Sequence, residues 1–190
     1  MNFITILLFL RLSNNFIEEI HDDSFGDLHE LLGLDLSSNL IEVISFNAFV
    51  KLRNLLWLKI DQNCLLNVAL YLPVRALHSL NIAHNLINEF PQISGSISIT
   101  MLNLSHNKIV DLEIEFASMK ALSKSIQSLD ISGNQMRHPN QLLAFVNLVE
   151  LNLASNENID FTTNEKFIRH LAALKKLNLT NTNLTSDRKS

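Results

Sequence analysis

Apolar residues recur along almost the whole chain in one pattern, Leu-x-x-Leu-x-Leu-x-x-Asn, in which Ile can replace Leu and x is any residue. The pattern is clearest in LLGLDLSSN, where Leu31, Leu34 and Leu36 precede Asn39. Eight copies begin at Leu7, Leu31, Leu55, Leu77, Ile99, Ile126, Leu148 and Leu174. Successive final asparagines lie 24, 24, 22, 22, 27 and 22 residues apart. A period of this length predicts stacked coils, because one unit is too small to bury its own apolar face.

The spacing also predicts the shape of each coil. One short strand would point its second and third apolar residues into a core and turn the residues between them toward solvent. We therefore predict an α/β solenoid, a horseshoe of about eight coils with a concave parallel sheet and a convex side of loops, 3-10 turns and short helices. Residues 1–184 would form this single domain, and residues 185–190 a disordered tail.

The asparagine that ends each copy of the pattern has a structural explanation. Where the strand turns away, a carboxamide can satisfy buried backbone groups of its own coil and of the adjacent one. This predicted ladder consists of Asn15, Asn39, Asn63, Asn85, Asn107, Asn134 and Asn156. The eighth copy has Thr182 instead, which forms fewer hydrogen bonds, so we expect a looser last coil.

The return segments differ in length and should differ in structure. Phe25 and Phe49 occupy matching places in the first two coils and are predicted to form a second buried ridge. The longer coils suggest helix at Leu112–Ser125, at Pro139–Val146 with proline in the first turn, and at Thr163–Leu171 after a threonine cap. The 22-residue coils must return through extended segments or tight turns.

Residues 1–10 (MNFITILLFL) have two interpretations, a signal peptide or the first strand. They lack a basic residue before the apolar run and a small-residue cleavage site after it, and their end fits the repeat frame, so we favour the strand. No apolar run of about 18 residues occurs, which predicts that this chain has no transmembrane helix.

Composition and motifs limit the functional classes. The net charge of −4 and pI near 5.9 provide no basic surface for nucleic acid. No phosphate loop, metalloprotease motif or nucleophile elbow is present, so we predict no enzyme, no cofactor and no metal site. Cys64 is the single cysteine, and an unpaired thiol is its simplest interpretation.

The residues between the core positions of the strands predict a binding surface of two columns. One column is Phe9, Gly33, Trp57, Ser79, Met101, Ser128, Glu150 and Lys176. The other is Arg11, Asp35, Lys59, Asn81, Asn103, Asp130, Asn152 and Asn178. We predict that a partner contacts a set of residues on and beside these columns, namely Arg11, Asp35, Trp57, Lys59, Asn81, His84, Met101 and His106.

Trp57 is the strongest single candidate, because an exposed tryptophan beside Lys59 and Asp35 has the composition of an interface hot spot. The alternative is that it packs against a neighbour such as Leu32. His84 and His106 precede consecutive ladder asparagines, so their rings should lie about 5 to 7 Å apart. Two solvated histidines explain this pair better than zinc with help from Asp61 and Gln62, and a pH-sensitive surface is a further possibility.

Three N-glycosylation patterns occur, at Asn103, Asn178 and Asn183. The first two would project from the concave sheet, where a glycan would obstruct part of the surface. Asn-Leu-Ser is also close to what the repeat produces by itself, so the pattern alone is weak evidence.

The repeat resembles the leucine-rich-repeat family over Leu7 to Leu184. The first coils look like its typical extracellular subtype, which carries the Ala-Phe-x-x-Leu element present here at Ala48, Phe49 and Leu52. Residues 72–90 and 99–112 are similar to segments of secreted insect leucine-rich immune proteins. This resemblance implies an extracellular, non-enzymatic protein that binds an immune partner, in that family a complement-like thioester protein.

Two departures from that family qualify the implication. The cysteine caps of extracellular members and the coiled-coil region of the immune proteins are missing, which suggests a fragment that could self-associate through uncapped ends. Two alternatives stay open: a cytoplasmic scaffold that docks on an enzyme such as a phosphatase, and a fragment of a Toll-like receptor ectodomain.

Overall fold

The chain folds as a run of short strands separated by loops. The computed structural model describes residues 6–72, 77–95, 98–112, 122–160 and 171–183. In chain order the strands are Phe9–Arg11 (β1), Glu19–Ile20 (β2), Gly33–Asp35 (β3), Val43–Ile44 (β4), Trp57–Lys59 (β5), Ala69–Tyr71 (β6), Ser79–Asn81 (β7), Gln92–Ser94 (β8), Met101–Asn103 (β9), Ser128–Asp130 (β10), Glu150–Asn152 (β11) and Lys176–Asn178 (β12).

One parallel sheet of eight strands dominates the described part of the chain, in the order β1-β3-β5-β7-β9-β10-β11-β12. Each of these strands is three residues long and lies in one copy of the sequence pattern. The middle residues pair in register from strand to strand, as Leu34 does with Leu10 and with Leu58. The predicted parallel-sheet solenoid is therefore confirmed.

The apolar positions of the pattern form the core. Leu31, Leu34 and Leu36 are fully buried, and so are Leu55, Leu58 and Ile60 in the next coil. Since a buried aliphatic side chain stabilises a fold by about 1.5 to 3 kcal/mol, this repeated stack is the main source of stability. The predicted aromatic ridge is also confirmed, because Phe25 and Phe49 are buried with ring centroids 5.9 Å apart.

The ladder asparagines join each coil to the preceding one. Asn107 is representative: its Nδ2 donates to the carbonyls of Ile82 and Leu104 at 3.1 and 3.0 Å, and its Oδ1 accepts the amide of Ile87 at 3.0 Å. The five other asparagines from Asn39 to Asn156 repeat this arrangement and are buried. Asn15 differs, since it is exposed and donates to carbonyls of its own coil.

Thr182 occupies the ladder position of the last coil, as its place in the pattern requires. It is buried, and its hydroxyl donates to the carbonyl of Leu179 in the same coil at 2.8 Å. A hydroxyl has one donor where a carboxamide has two, so it cannot repeat the full set of inter-coil bonds. Asn183 adds a link to the preceding coil by donating to the carbonyl of Glu157.

The return segments form two small parallel sheets, β2-β4 and β6-β8. The sequence predicts extended return segments for the 22-residue coils. It does not predict that return segments of neighbouring coils pair as strands. The sheets do not join, because β4 and β6 are not paired among the described residues.

The helix predictions were correct only in part. Pro139–Ala144 is a 3-10 helix that begins with proline and ends two residues earlier than predicted. Its tighter winding suits a short return, since 3-10 helices occur in short pieces and this one has about two turns. Residues 122–125 are helical, whereas residues 113–121 and 161–170 lie outside the described residues, and so does the predicted tail at 185–190.

Candidate partner-binding site on the concave sheet

The two columns of side chains lie along the sheet in the order that the pattern predicts. Trp57 is the registered partner of Gly33 on one side and of Ser79 on the other, and Ser79 is in turn the partner of Met101. In the second column Arg11, Asp35, Lys59 and Asn81 follow one another. Neighbouring strands lie about 4.8 Å apart, so the exposed side chains of each column form a continuous surface.

Trp57 is the centre of an aromatic and cationic cluster. Its half-buried indole stacks on Phe9, two strands away, with ring centroids 6.2 Å apart and an interplanar angle of 14°. The Nζ of Lys59 lies 5.9 Å from the centroid of the indole, within the range of a cation–π interaction. Trp57 thus packs on a neighbour, which is Phe9 and not the expected Leu32, and it remains half-buried; its role as a partner contact stays a prediction.

Gly33 makes this stack possible. It lies on β3 between Phe9 and Trp57, and a Cβ built on it would be 2.1 Å from two carbons of the indole. The ring consequently lies flat over the glycine and reaches Phe9. The sequence pattern places Gly33 in the column but does not predict this role. The signal is a glycine at a position where the other coils have side chains.

The opposite end of the sheet pairs its own polar groups. Lys176 Nζ lies 2.5 Å from Glu150 Oε1, and Asn152 donates to Asp130 Oδ2 at 3.0 Å. These contacts occupy polar groups that would otherwise be free to form hydrogen bonds with a partner. The exposed apolar side chains of the sheet lie outside these paired strands, with Phe9 (55% exposed) on the first strand and Met101 (51% exposed) on the fifth.

Most polar side chains of the second column fold back on their own loop. Asp35 Oδ1 accepts the amide and the hydroxyl of Ser37, at 3.1 and 2.6 Å, and Asn81 Oδ1 accepts the amide of Ala83. The Lys59 side chain has no acceptor atom and cannot form the same hydrogen bond. It extends toward the indole of Trp57 instead. Of the predicted contact residues, Arg11 and Lys59 are the exposed cations, while Asp35 and Asn81 are half-buried.

His84 and His106 lie beyond the strands, each directly before a ladder asparagine. Their rings stack with centroids 4.3 Å apart and an interplanar angle of 10°, closer than the predicted 5 to 7 Å. Both residues are left-handed, with φ of 51° and 54°, as is Gly133 at the same place in the next coil. A Cβ at Gly133 would lie 2.6 Å from Nδ1 of His106, so this glycine gives the second ring its space.

Asp61 is an unusual polar group beside this surface. Burial raises the pKa of its carboxyl, and the nearby Asp35 raises it further. One carboxylate oxygen is buried without a hydrogen-bond partner among the described residues. Ionisation of Asp61 therefore opposes folding: the penalty is absent at pH values below its unfolded pKa and appears as the pH rises above it.

The three glycosylation candidates have different surroundings. Asn103 is half-buried, and its Oδ1 accepts the amide of Ser105 at 3.0 Å. Asn178 is exposed, and its Oδ1 accepts the amide and hydroxyl of Thr180. Asn183 is exposed, but its Nδ2, the atom that carries a glycan, donates to the carbonyl of Glu157 at 3.0 Å. Asn103 and Asn178 both form these bonds through Oδ1 and not through Nδ2, and Asn178 is the exposed one of the two.

Comparison with known proteins identifies this architecture. A model of the leucine rich repeat family matches residues 8–65. The leucine-rich repeat domain of APL1B has 25% sequence identity to the chain and a TM-score of 0.66, over 92% of this chain and 47% of that one. The chain has the fold of a leucine-rich-repeat solenoid.

Other matches extend over less of the relative. The solenoid is 30% identical over 82 residues to the leucine-rich repeat-containing G-protein coupled receptor 5 of Rattus norvegicus, which covers 42% of this chain and 9% of the receptor. The TLR13–ssRNA13 complex matches with a TM-score of 0.69 and 24% identity, over 92% of this chain and 25% of that one. The solenoid thus spans less than half the length of these relatives.

Two further properties of the described residues concern membranes and metals. The described part of the solenoid has no helix with the length and apolarity needed to cross a bilayer. Within the same residues, no three or more His, Cys, Asp or Glu side chains are grouped so that they could hold a metal ion. His84 and His106 therefore form a stacked pair without a third such residue grouped with them.

Proposed function

We propose that this solenoid is a protein-recognition module of extracellular innate immunity that binds a protein partner through its concave sheet. The leucine-rich-repeat fold generally serves as a non-enzymatic protein-binding module. The observation that carries the proposal is the cluster of Phe9, Trp57 and Lys59 on the open face of a sheet whose far end pairs its own charges.

The physical argument concerns what the cluster offers a partner. Tryptophan dominates many interfaces because it buries a large apolar area with few rotatable bonds, and Trp57 is already held in place by Phe9 and Gly33. Met101 and Arg11 extend the same surface with a flexible apolar and a cationic side chain. A partner that covers these groups needs an apolar centre with an acidic or aromatic rim.

The extracellular and immune assignment is supported by relatives of this chain. The chain is similar to the APL1B domain and, at 24% identity and a TM-score of 0.67, to the LRIM1/APL1C complex. The resemblance of residues 72–90 and 99–112 to secreted insect immune proteins implies a complement-like protein or a receptor as the partner. The net charge of −4 argues for a protein partner and against nucleic acid.

The double substitution Trp57→Ala with Lys59→Ala tests the concave site. Partner captured from the extracellular fluid of the source organism by the wild-type chain would be titrated calorimetrically against both proteins. We expect the double variant to lose at least about tenfold in affinity, since hot-spot residues contribute about 2 kcal/mol or more. Ser128→Ala, on the same sheet, is the control and should bind as wild type. Unchanged affinity in a folded double variant would contradict the assignment.

An intact-mass measurement on the native protein tests the compartment. Secretion predicts glycan mass, with Asn178 the first candidate by geometry. A mass without glycan, together with a reduced Cys64, would favour the cytoplasmic scaffold instead.

A further inference from the structure

Apolar side chains form a row on the lateral face of the first four coils. The residue that follows each ladder asparagine there is Phe16, Leu40, Cys64 or Leu86. The amides of the last three donate to the carbonyls of Ile17, Ile41 and Leu65, which stacks each coil on the preceding one at this position. We call these four residues the apolar row.

The apolar row is exposed and is not required by the repeat. Phe16 is 87% exposed, and Leu40 and Leu86 are exposed too. Val43 and Leu66, exposed apolar residues of the second and third coils, lie a few residues further along their returns. In the later coils the same position is occupied by polar, exposed residues, namely Lys108, Gln135, Glu157 and Asn183. A clustered apolar surface of this kind is typical of an interaction site.

A groove opens beside Val43 and Leu66, where the return segments of the second and third coils separate. The amide of Cys64 donates to Ile41, and the amide of Tyr71 donates to Phe46. Between these bonds residues 65–70 face residues 42–45, so the third coil has two more residues than the second in this stretch, although it is shorter overall. The groove is about 240 Å³ and is lined by Glu42, Val43, Ile44, Leu66, Asn67, Val68 and Ala69. A cavity of about 150 Å³ accepts benzene, so this groove accommodates one apolar side chain.

The charged residues beside Phe16 and Leu40 are of one sign. Glu18 and Glu42 are exposed two residues beyond Phe16 and Leu40, and Glu19 is exposed next to Glu18. Residues 12–50 contain no lysine or arginine. A basic partner segment would therefore be attracted, whereas a second copy of this face or an anionic membrane would be repelled.

We propose that this lateral face binds a partner segment that carries an apolar stripe bordered by lysine or arginine, with one apolar side chain inserted in the groove between Val43 and Leu66. The stripe covers the apolar row, and the basic residues meet Glu18 and Glu42. This surface is separate from the concave columns, so the solenoid has two faces for recognition.

The probe is a synthetic amphipathic helical peptide of leucine and lysine, labelled with fluorescein. The control peptide is identical except that glutamate replaces every lysine. Fluorescence anisotropy would measure binding of both to the 190-residue chain. We expect the lysine peptide to bind at least about tenfold more tightly than the glutamate peptide. The affinity for the lysine peptide should fall at least about tenfold in the triple variant Phe16→Gln, Leu40→Gln and Leu66→Gln. It should fall as much in the double variant Glu18→Lys and Glu42→Lys. The peptide should also slow alkylation of Cys64.

The matched control is Val146→Gln, which removes an exposed apolar side chain from a later coil and should leave binding unchanged. Circular dichroism would establish that each variant is folded. Equal binding of the two peptides, or full binding by the folded triple variant, would overturn the proposal. It would also be overturned if the triple substitution abolished dimer formation in sedimentation or binding to phosphatidylcholine vesicles while leaving peptide binding intact.

Discussion

Asn107→Ala is expected to lower the free energy of unfolding by about 3 kcal/mol or more. The substitution leaves the buried amide of Ile87 without its acceptor. It also removes one of the two donors to each of the carbonyls of Ile82 and Leu104, which keep the carboxamides of Asn85 and Asn134. An unsatisfied buried amide costs about 1 to 3 kcal/mol and each lost hydrogen bond about 1 kcal/mol, and large losses are typical when a buried hydrogen-bond network is broken. Because each coil is stabilised by its neighbours, the loss should spread along the solenoid. Urea unfolding followed by far-ultraviolet circular dichroism measures it.

Asn15→Ala provides the control for that experiment. The same substitution at an exposed ladder position removes bonds to Leu12 and Ser13, within one coil, so we expect a loss of about 1 kcal/mol or less. Equal shifts of the unfolding midpoint in the two variants would contradict the inter-coil role of the ladder.

Gly33→Ala is expected to displace the indole of Trp57 from the concave sheet. The new Cβ would overlap the ring, which must rotate away from the strand and from Phe9. Trp57 is the sole tryptophan, so its emission should shift to longer wavelength and acrylamide quenching should increase. Partner affinity should fall at least about tenfold, as in the Trp57→Ala and Lys59→Ala double variant, because the ring is no longer preorganised.

Ser79→Ala, on the other side of Trp57 in the same column, separates this effect from a general disturbance of the sheet. It should leave emission, quenching and affinity as in the wild type. An unshifted emission spectrum in Gly33→Ala would show that the indole does not lie over the glycine.

The strands and columns could be predicted from the sequence because one local pattern determines them. Once Leu34 and Leu36 are assigned to the core, alternation directs Gly33 and Asp35 to the opposite face, and the fixed period aligns them with Trp57 and Lys59. The same regularity placed the asparagines where they bond to neighbouring coils.

Features that depend on distances between coils could not be predicted in this way. The stack of Phe9 on Trp57 spans two strands and is possible only because Gly33 has no side chain. The groove arises where residues 65–70 face only residues 42–45, a local difference of two residues that no motif marks. The 3-10 winding of Pro139–Ala144 and the burial of the Asp61 carboxylate likewise follow from packing against adjacent coils.

The central claim is that side chains from successive coils lie in one line along an extended sheet. Spin labels at Arg11→Cys and Asn178→Cys, with Cys64→Ser, test it directly, because the two positions end the same column and are separated by seven strand spacings. At about 4.8 Å per spacing, double electron–electron resonance should give one narrow distance near 34 Å, slightly shortened by curvature. A broad distribution, or a distance below about 20 Å, would contradict the solenoid and the binding surface derived from it.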